Sequence, residues 1–445
     1  MSLLAALGRV LLGLSGAAAA GWAAGRTATS GLTRRERVAW ALAAGLLIQA
    51  VGLLILLALR TAPAAWKLLL FDIGVGGLAL ARRRSGAPPG GGGPAPSASG
   101  GPRAPAWLLY GIAAAAWLLF LGEALADGMW ATDFLAFWGY KGKIISLTSA
   151  VPRRLFEDPA LYFAHREYPL LVPLTLAALS AFVGAWNDQA LALLYPVCAL
   201  ATLLALSGFL ERRVSRLAAA AAPALAALCV FLYRPANAGT AEVPFALGLV
   251  LAAEAAIDFM QRDRASSVGR LAVASLFCAS LKQEGTLFVF LLAIAVALWL
   301  PTRGEATPRR RAALSALILP ASAHWFLLYL LRGNQTRRDF DFTLFEPRRW
   351  AELPALFGLV TGKFARVGWT EALVPVLALG VFFLVTRRGI GDPLLPVFPA
   401  QILFYAIAFT VSSFDPLYAI DGAFRRITMT LFPAFTLVLC SRRFP

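Results

Sequence analysis

Charged residues are scarce in this chain, making up 15% of its 445 residues against 59% that are hydrophobic, and the mean hydropathy is +0.70. That shortage excludes a soluble domain, whose outside must meet water, and leaves lipid as the solvent. Regular alternation of period two is also missing, which excludes a transmembrane barrel. Histidine occurs twice and cysteine four times. Cys198, Cys229, Cys278 and Cys440 fall inside apolar runs with no Cys-x-x-Cys spacing, so they read as small packing residues and imply neither a disulfide framework nor a zinc site. The formal net charge of +17 comes without a basic module interleaved with aromatics, so nucleic acid is not expected as a partner. No internal repeat is visible, which disfavours a transporter built from duplicated halves.

What is present is a series of apolar runs of about 17 to 25 residues, each long enough to cross roughly 30 Å of hydrocarbon as a helix. They predict an all-α, polytopic transmembrane bundle of about 12–13 spans. Leu3 to Ala24 is counted as a span and not as a signal peptide, because its basic n-region amounts to Arg9 alone. The segment Tyr168 to Gly184 is expected to lie along the outer face or to re-enter. Making it cross would put Arg212, Arg213 and Arg216 outside, against the preference of Lys and Arg for cytoplasmic loops. With that choice the clusters Arg34 to Arg37, Arg82 to Arg84, Arg262 to Arg270, Arg309 to Arg311 and Arg387 to Arg388 all fall inside. Two long outer loops, 123–187 and 332–369, then hold many of the acidic residues, which makes the outer face the working face. The low-complexity stretch Gly86 to Pro105 reads as a cytoplasmic linker between an accessory N-terminal helical module, 1–85, and a main bundle, 106–445.

Candidate chemistry sits where charge meets the membrane surface. The first outer loop opens with Glu123, Asp127 and Asp133, and Asp133 starts an amphipathic stretch to Ile145 that is expected to lie in the interface plane. On a regular helix Lys141 and Lys143 would point about 80° to either side of the Asp133 direction, so one carboxylate and two ammonium groups could border a pocket. The alternative is a plain interfacial helix whose lysines touch lipid phosphates. His165-Arg-Glu167-Tyr-Pro closes the same loop. Glu242 stands at the mouth of a later helix, where it serves either as a cap or as a functional acid. Lys282-Gln-Glu284-Gly places a cation and an anion between two apolar runs at membrane depth, where charge is expensive, either for function or as a self-paired turn. Arg425 and Arg426 sit at the outer end of the last span against the positive-inside trend, and binding a phosphate would explain them. His324, in mid-span, reads as a core or inter-helix hydrogen-bonding group. Asp339-Phe-Asp341 matches a metal signature of nucleotide-sugar enzymes, but nucleotide sugars are cytoplasmic and this loop is expected outside.

In order, these motifs run Asp-x-x-x-x-Trp-Gly-x-Lys-x-Lys, then His-x-Glu-Tyr-Pro-Leu-Leu, an acid at the next outer turn, Lys-x-Glu-Gly, and a late Arg before Leu-Phe-Pro. The order resembles the GT-C superfamily of membrane glycosyltransferases, in the branch similar to protein O-mannosyltransferases and lipid A aminoarabinose transferases, over roughly Trp107 to Pro433. The resemblance implies a GT-C-like bundle with a large first catalytic outer loop containing interfacial helices. It implies a polyprenyl-phosphate sugar as donor, an acceptor hydroxyl of unassigned identity, no cofactor and no metal. Among the acids it implies Asp133 as general base, with Asp127 as second candidate and Glu242 as a further acid orienting donor or acceptor. Lys141, Lys143, His165, Glu167, Lys282, Glu284, Arg425 and Arg426 become the candidates for binding donor phosphate and substrate. The adjacent Asp-Glu pair of many members is absent here. Such an enzyme is expected in a bacterial inner membrane with its site on the periplasmic side. The competing readings are a transporter or lipid flippase, and a non-catalytic membrane scaffold.

Overall fold

The computed structural model describes residues 1–84, 103–165, 168–228, 239–262, 265–299, 308–332, 351–363, 394–411 and 425–441, and every regular element among them is helical. Of the expected linker Gly86 to Pro105, residues 86–102 lie outside the described residues, as do 370–385, Asp339, Asp341 and Cys229, whereas Arg103 to Pro105 already belong to the helix that follows. Among the described residues, five helices are long and apolar enough to cross a membrane: Leu3–Gly25, Arg34–Ala58, Pro105–Asp127, Asp188–Glu211 and Glu242–Gln261. The other apolar helices are shorter, so the described residues supply fewer full-length spans than the hydropathy pattern suggests.

The first three helices, α1 (Leu3–Gly25), α2 (Arg34–Ala58) and α3 (Ala65–Arg84), pack on one another. A capping box starts α2: the Thr33 hydroxyl accepts from the Glu36 amide, and the Glu36 carboxylate accepts from the Thr33 amide at 2.7 Å. Helices α1 and α2 cross backbone to backbone at two glycines, since a Cβ on Gly21 would meet the Ala41 carbonyl oxygen at 2.0 Å and one on Gly45 would meet that of Ala17 at 2.0 Å.

Beyond 103 the chain forms α4 (Arg103–Asp127), then a π-helical turn (Phe134–Trp138) running directly into α5 (Gly139–Thr148) and the one-turn α6 (Arg154–Glu157). Next come α7 (Leu171–Val183), α8 (Asp188–Leu191), α9 (Leu194–Glu211) and α10 (Arg216–Ala227). The rest are α11 (Glu242–Arg262), α12 (Ala265–Leu281), α13 (Gln283–Trp299), α14 (Pro308–Arg332), α15 (351–363), α16 (Val397–Val411) and α17 (Arg425–Cys440). Helix α11 is buried along its whole apolar length, with α9, α12, α13 and α17 around it.

Helix α7 removes one of the two placements expected for it and leaves re-entry. It does not lie along a surface: all its residues but Ala181 are buried, against α5, α1 and α2. Its 13 residues rise about 20 Å, too short for the hydrocarbon thickness. Arg9 of α1 donates to the Val183 carbonyl at its C-terminal end. The segment is therefore an insertion into the bundle, and its uniform apolarity is that of a core element.

At the C-terminal end of α11 a buried ionic network ties the N-terminal helices to the rest. Arg212 is paired with Glu36 of α2 and Asp258 of α11, and Arg213 with Asp258. Arg270 of α12 lies 2.8 Å from Asp258 and 3.2 Å from Glu254, whose other bond comes from the Trp40 indole of α2. Three guanidiniums thus face three carboxylates inside the protein. Removing one partner from such a set leaves charge uncompensated, so Asp258→Asn is expected to cost about 3–5 kcal/mol of stability. Glu211, in a half-exposed pair with Arg35, provides the control, and Glu211→Gln is expected to cost less than about 1 kcal/mol. Equilibrium unfolding of both variants in detergent measures the contrast.

Candidate functional site

At the opposite end of α11 a second set of charges gathers, and turn chemistry explains how each one is delivered. Asp133 directly precedes the π-helical turn, whose first residue, Phe134, is buried. Two glycines make room for that ring. A Cβ on Gly139 would lie 2.3 Å from it, and one on Gly239 (φ +100°) would lie 2.7 Å from the Phe134 Cβ. The anchored Phe134 fixes the position of Asp133 relative to Gly239 and hence to Glu242, three residues further on. Lys282 occupies the turn between α12 and α13. Gly285 lets that turn close, because a Cβ there would meet the Cys278 carbonyl oxygen at 2.1 Å. Gln401 of α16 steadies it from the side by donating to the Glu284 carbonyl at 3.1 Å.

These elements bring Asp133, Glu242, Lys282, Glu284 and Arg426 into one cluster. Arg426, in the first turn of α17, donates to the Asp133 carboxylate at 2.6 Å and lies 3.7 Å from Glu242 Oε1. Lys282 Nζ sits 3.2 Å from Glu242 Oε1 and 3.2 Å from Glu284 Oε1. Glu242 is buried, and its Oε2 has no hydrogen-bond partner among the described residues. Asp133 and Arg426 keep about a fifth of their side-chain surface exposed, 22% and 21%, so the open side of the cluster is theirs. Burial works against the charge on Lys282, but the Glu242 and Glu284 carboxylates outweigh it and hold the ammonium above the ordinary lysine range. Both cations are committed to carboxylates, so an incoming anion has to exchange with one of them.

Lys141 and His165 build the neighbouring wall. Lys141 is buried and donates to the His165 carbonyl at 2.6 Å. His165 adopts a left-handed backbone (φ +44°), and its ring meets Phe137 edge-on at 4.2 Å and stacks on Tyr168 at 4.6 Å. Tyr168 in turn stacks on Trp138 at 5.3 Å. The aromatic wall and the charged cluster are joined through Asp133 and Trp138, which belong to the same helical run.

Two sequence candidates stay apart from the cluster. Lys143 is exposed, because the π-helical turn inserts a residue into the register and breaks the regular 100° phase on which its expected direction rested. Asp127 is exposed at the end of α4, so of the two candidate acids Asp133 is the one placed against the cations. Glu167 and the Arg425 side chain lie outside the described residues. His324 is buried, with its Nδ1 3.2 Å from the Ser280 hydroxyl, a bond between α14 and α12.

Two residues beside the cluster carry no motif. Tyr195 of α9 is fully buried, its hydroxyl has no partner among the described residues, and it lies within electrostatic reach of Glu242. Gln401 was the more legible of the two, since an amide within an otherwise apolar helix signals a hydrogen bond to a neighbour. No family model, curated protein or solved structure matches the chain.

Proposed function

We propose that the chain is an inverting glycosyltransferase that moves a sugar from a polyprenyl-phosphate carrier to an acceptor hydroxyl. The observation that carries this reading is the meeting of a partly exposed carboxylate, Asp133, with two cations, Arg426 and Lys282, from three regions far apart in sequence. The arginine-rich network at the other end of α11 supports a cytoplasmic assignment for that end, and so an extracytoplasmic one for the cluster. A bacterial inner membrane, with the site facing the periplasm, is the setting this favours.

In this reading donor phosphate exchanges with Asp133 for the guanidinium of Arg426, whose planar fork suits phosphate oxygens. The exchange releases Asp133 as a base. It takes the proton of the acceptor hydroxyl as that oxygen bonds the anomeric carbon and the carbon–phosphate oxygen bond breaks, its electron pair remaining on the lipid phosphate. Arg426 and Lys282 stabilise that departing charge. The open Oε2 of Glu242 accepts a hydroxyl of the sugar or the acceptor. Lys141 is a positioning residue, holding the His165 segment over the π-helical turn.

The test is a panel of radiolabelled polyprenyl-phosphate sugars presented to the purified protein in lipid. Saturable binding of one member with its hydrolysis or transfer is the expected result, the hydrolysis or transfer being lost in Asp133→Asn and kept in His324→Ala. Movement of a labelled lipid across the bilayer with its sugar bond intact would replace the enzyme by a flippase, and equal loss in both variants would mean general damage.

A further inference from the structure

The three N-terminal helices hold a polar site that the proposed chemistry does not use. Gln49 of α2 and Asp72 of α3 are both buried, 1% and 3% exposed. The Gln49 amide nitrogen donates to the Gly13 carbonyl of α1 at 3.2 Å and to Asp72 Oδ2 at 3.3 Å. Only a nitrogen fits between those two acceptors, which fixes the orientation of the amide. Gly16 lets α1 come close, since a Cβ there would stand 3.3 Å from Asp72 Oδ2.

Two oxygens are left over. Gln49 Oε1 and Asp72 Oδ1 are buried with no hydrogen-bond partner among the described residues. Both are acceptors in want of a donor, on groups already joined by one hydrogen bond. No cation among the described residues pairs with Asp72. On α1, Arg9 is turned to the Val183 carbonyl. On α2, Arg34, Arg35, Glu36 and Arg37 lie in the first turn, at the end away from Gln49. On α3, Lys67 bonds the Ala62 carbonyl and Arg82 to Arg84 form the last turn, and α7 carries no charged residue. An ionised carboxylate here would be buried and unpaired, a costly state.

We propose that Asp72 and Gln49 form a proton-binding site, in which one proton on Asp72 Oδ1 donates to Gln49 Oε1 and closes a neutral carboxyl–carboxamide ring with the existing amide bond. One proton from water satisfies both open oxygens at once. A hard metal ion fits less well, since such ions take about six or more oxygen ligands and the site offers two that are open, beside an amide donor. The contact between α2 and α3 thereby becomes dependent on proton occupancy.

Infrared spectroscopy of the full-length protein in lipid nanodiscs tests this. The expected result is a protonated carboxyl C=O band at mildly acidic pH that shifts on exchange into D2O and disappears in Asp72→Asn, a variant of nearly the same shape. In Gln49→Leu the band is expected to persist and move to higher frequency, because the hydrogen-bonded partner is gone. If Asp72→Asn does not fold, the Gln49→Leu shift and the D2O shift still decide the question. A wild-type spectrum without the band, an unchanged band in both variants, or loss of the band on adding sodium would each overturn the proposal.

Discussion

Asp133→Asn is expected to lower turnover of a polyprenyl-phosphate sugar by about 10²- to 10⁴-fold, the usual contribution of a positioned general base. Its effect on folding should be small by comparison. Asp133 is partly exposed, and Arg426 keeps Glu242 as a second partner when the carboxylate is gone. The variant leaves the guanidinium less encumbered, so donor affinity is expected to hold or improve while kcat falls. Single-turnover assays beside equilibrium binding of labelled donor separate these quantities. A parallel loss of affinity and rate would mean that Asp133 binds substrate and does not deprotonate it.

Lys282→Met is expected to act in the opposite proportion, destabilising the fold by about 3–5 kcal/mol and abolishing donor binding. Its ammonium is the closest cation to Glu242 among the described residues, and the buried carboxylate is left with Arg426 at a longer distance as its other described cation. Adding Glu242→Gln removes the charge that was left behind. The double variant should therefore recover much of the stability of the wild type and none of its activity. A double-mutant cycle followed by thermal unfolding and donor binding measures both, and additive stability losses would show that the two side chains do not act as a pair.

Much of the helical architecture was legible because lipid leaves few options: apolar runs of sufficient length must close their backbone hydrogen bonds within the segment. The charged cluster was legible for a related reason. Asp133, Glu242, Lys282, Glu284 and Arg426 all interrupt apolar sequence at helix ends, where ionised groups are costly unless they are used. Periodicity could not reveal the register error. A π-helical turn has no reliable pattern of its own, and one extra residue was enough to turn Lys143 away while Lys141 stayed inside. For α7 two placements stayed open, on the surface or re-entrant, because an apolar stretch reads alike whether lipid or protein surrounds it. The Glu36, Arg212, Asp258 and Arg270 network was visible only in part. Its arginines read as ordinary cytoplasmic positives, and their partners Glu254 and Asp258 sit four residues apart on α11, a spacing that places them on one face.

The network has a consequence for the continuity of the chain. Helix α2 is held to α9, α11 and α12 by the Glu36 and Trp40 bonds and by packing, so the attachment of the first 84 residues does not rest on the peptide that follows them. A protein cut by a specific protease within 85–102 should leave a sizing column in detergent as one species, and the two halves expressed as separate polypeptides should find each other.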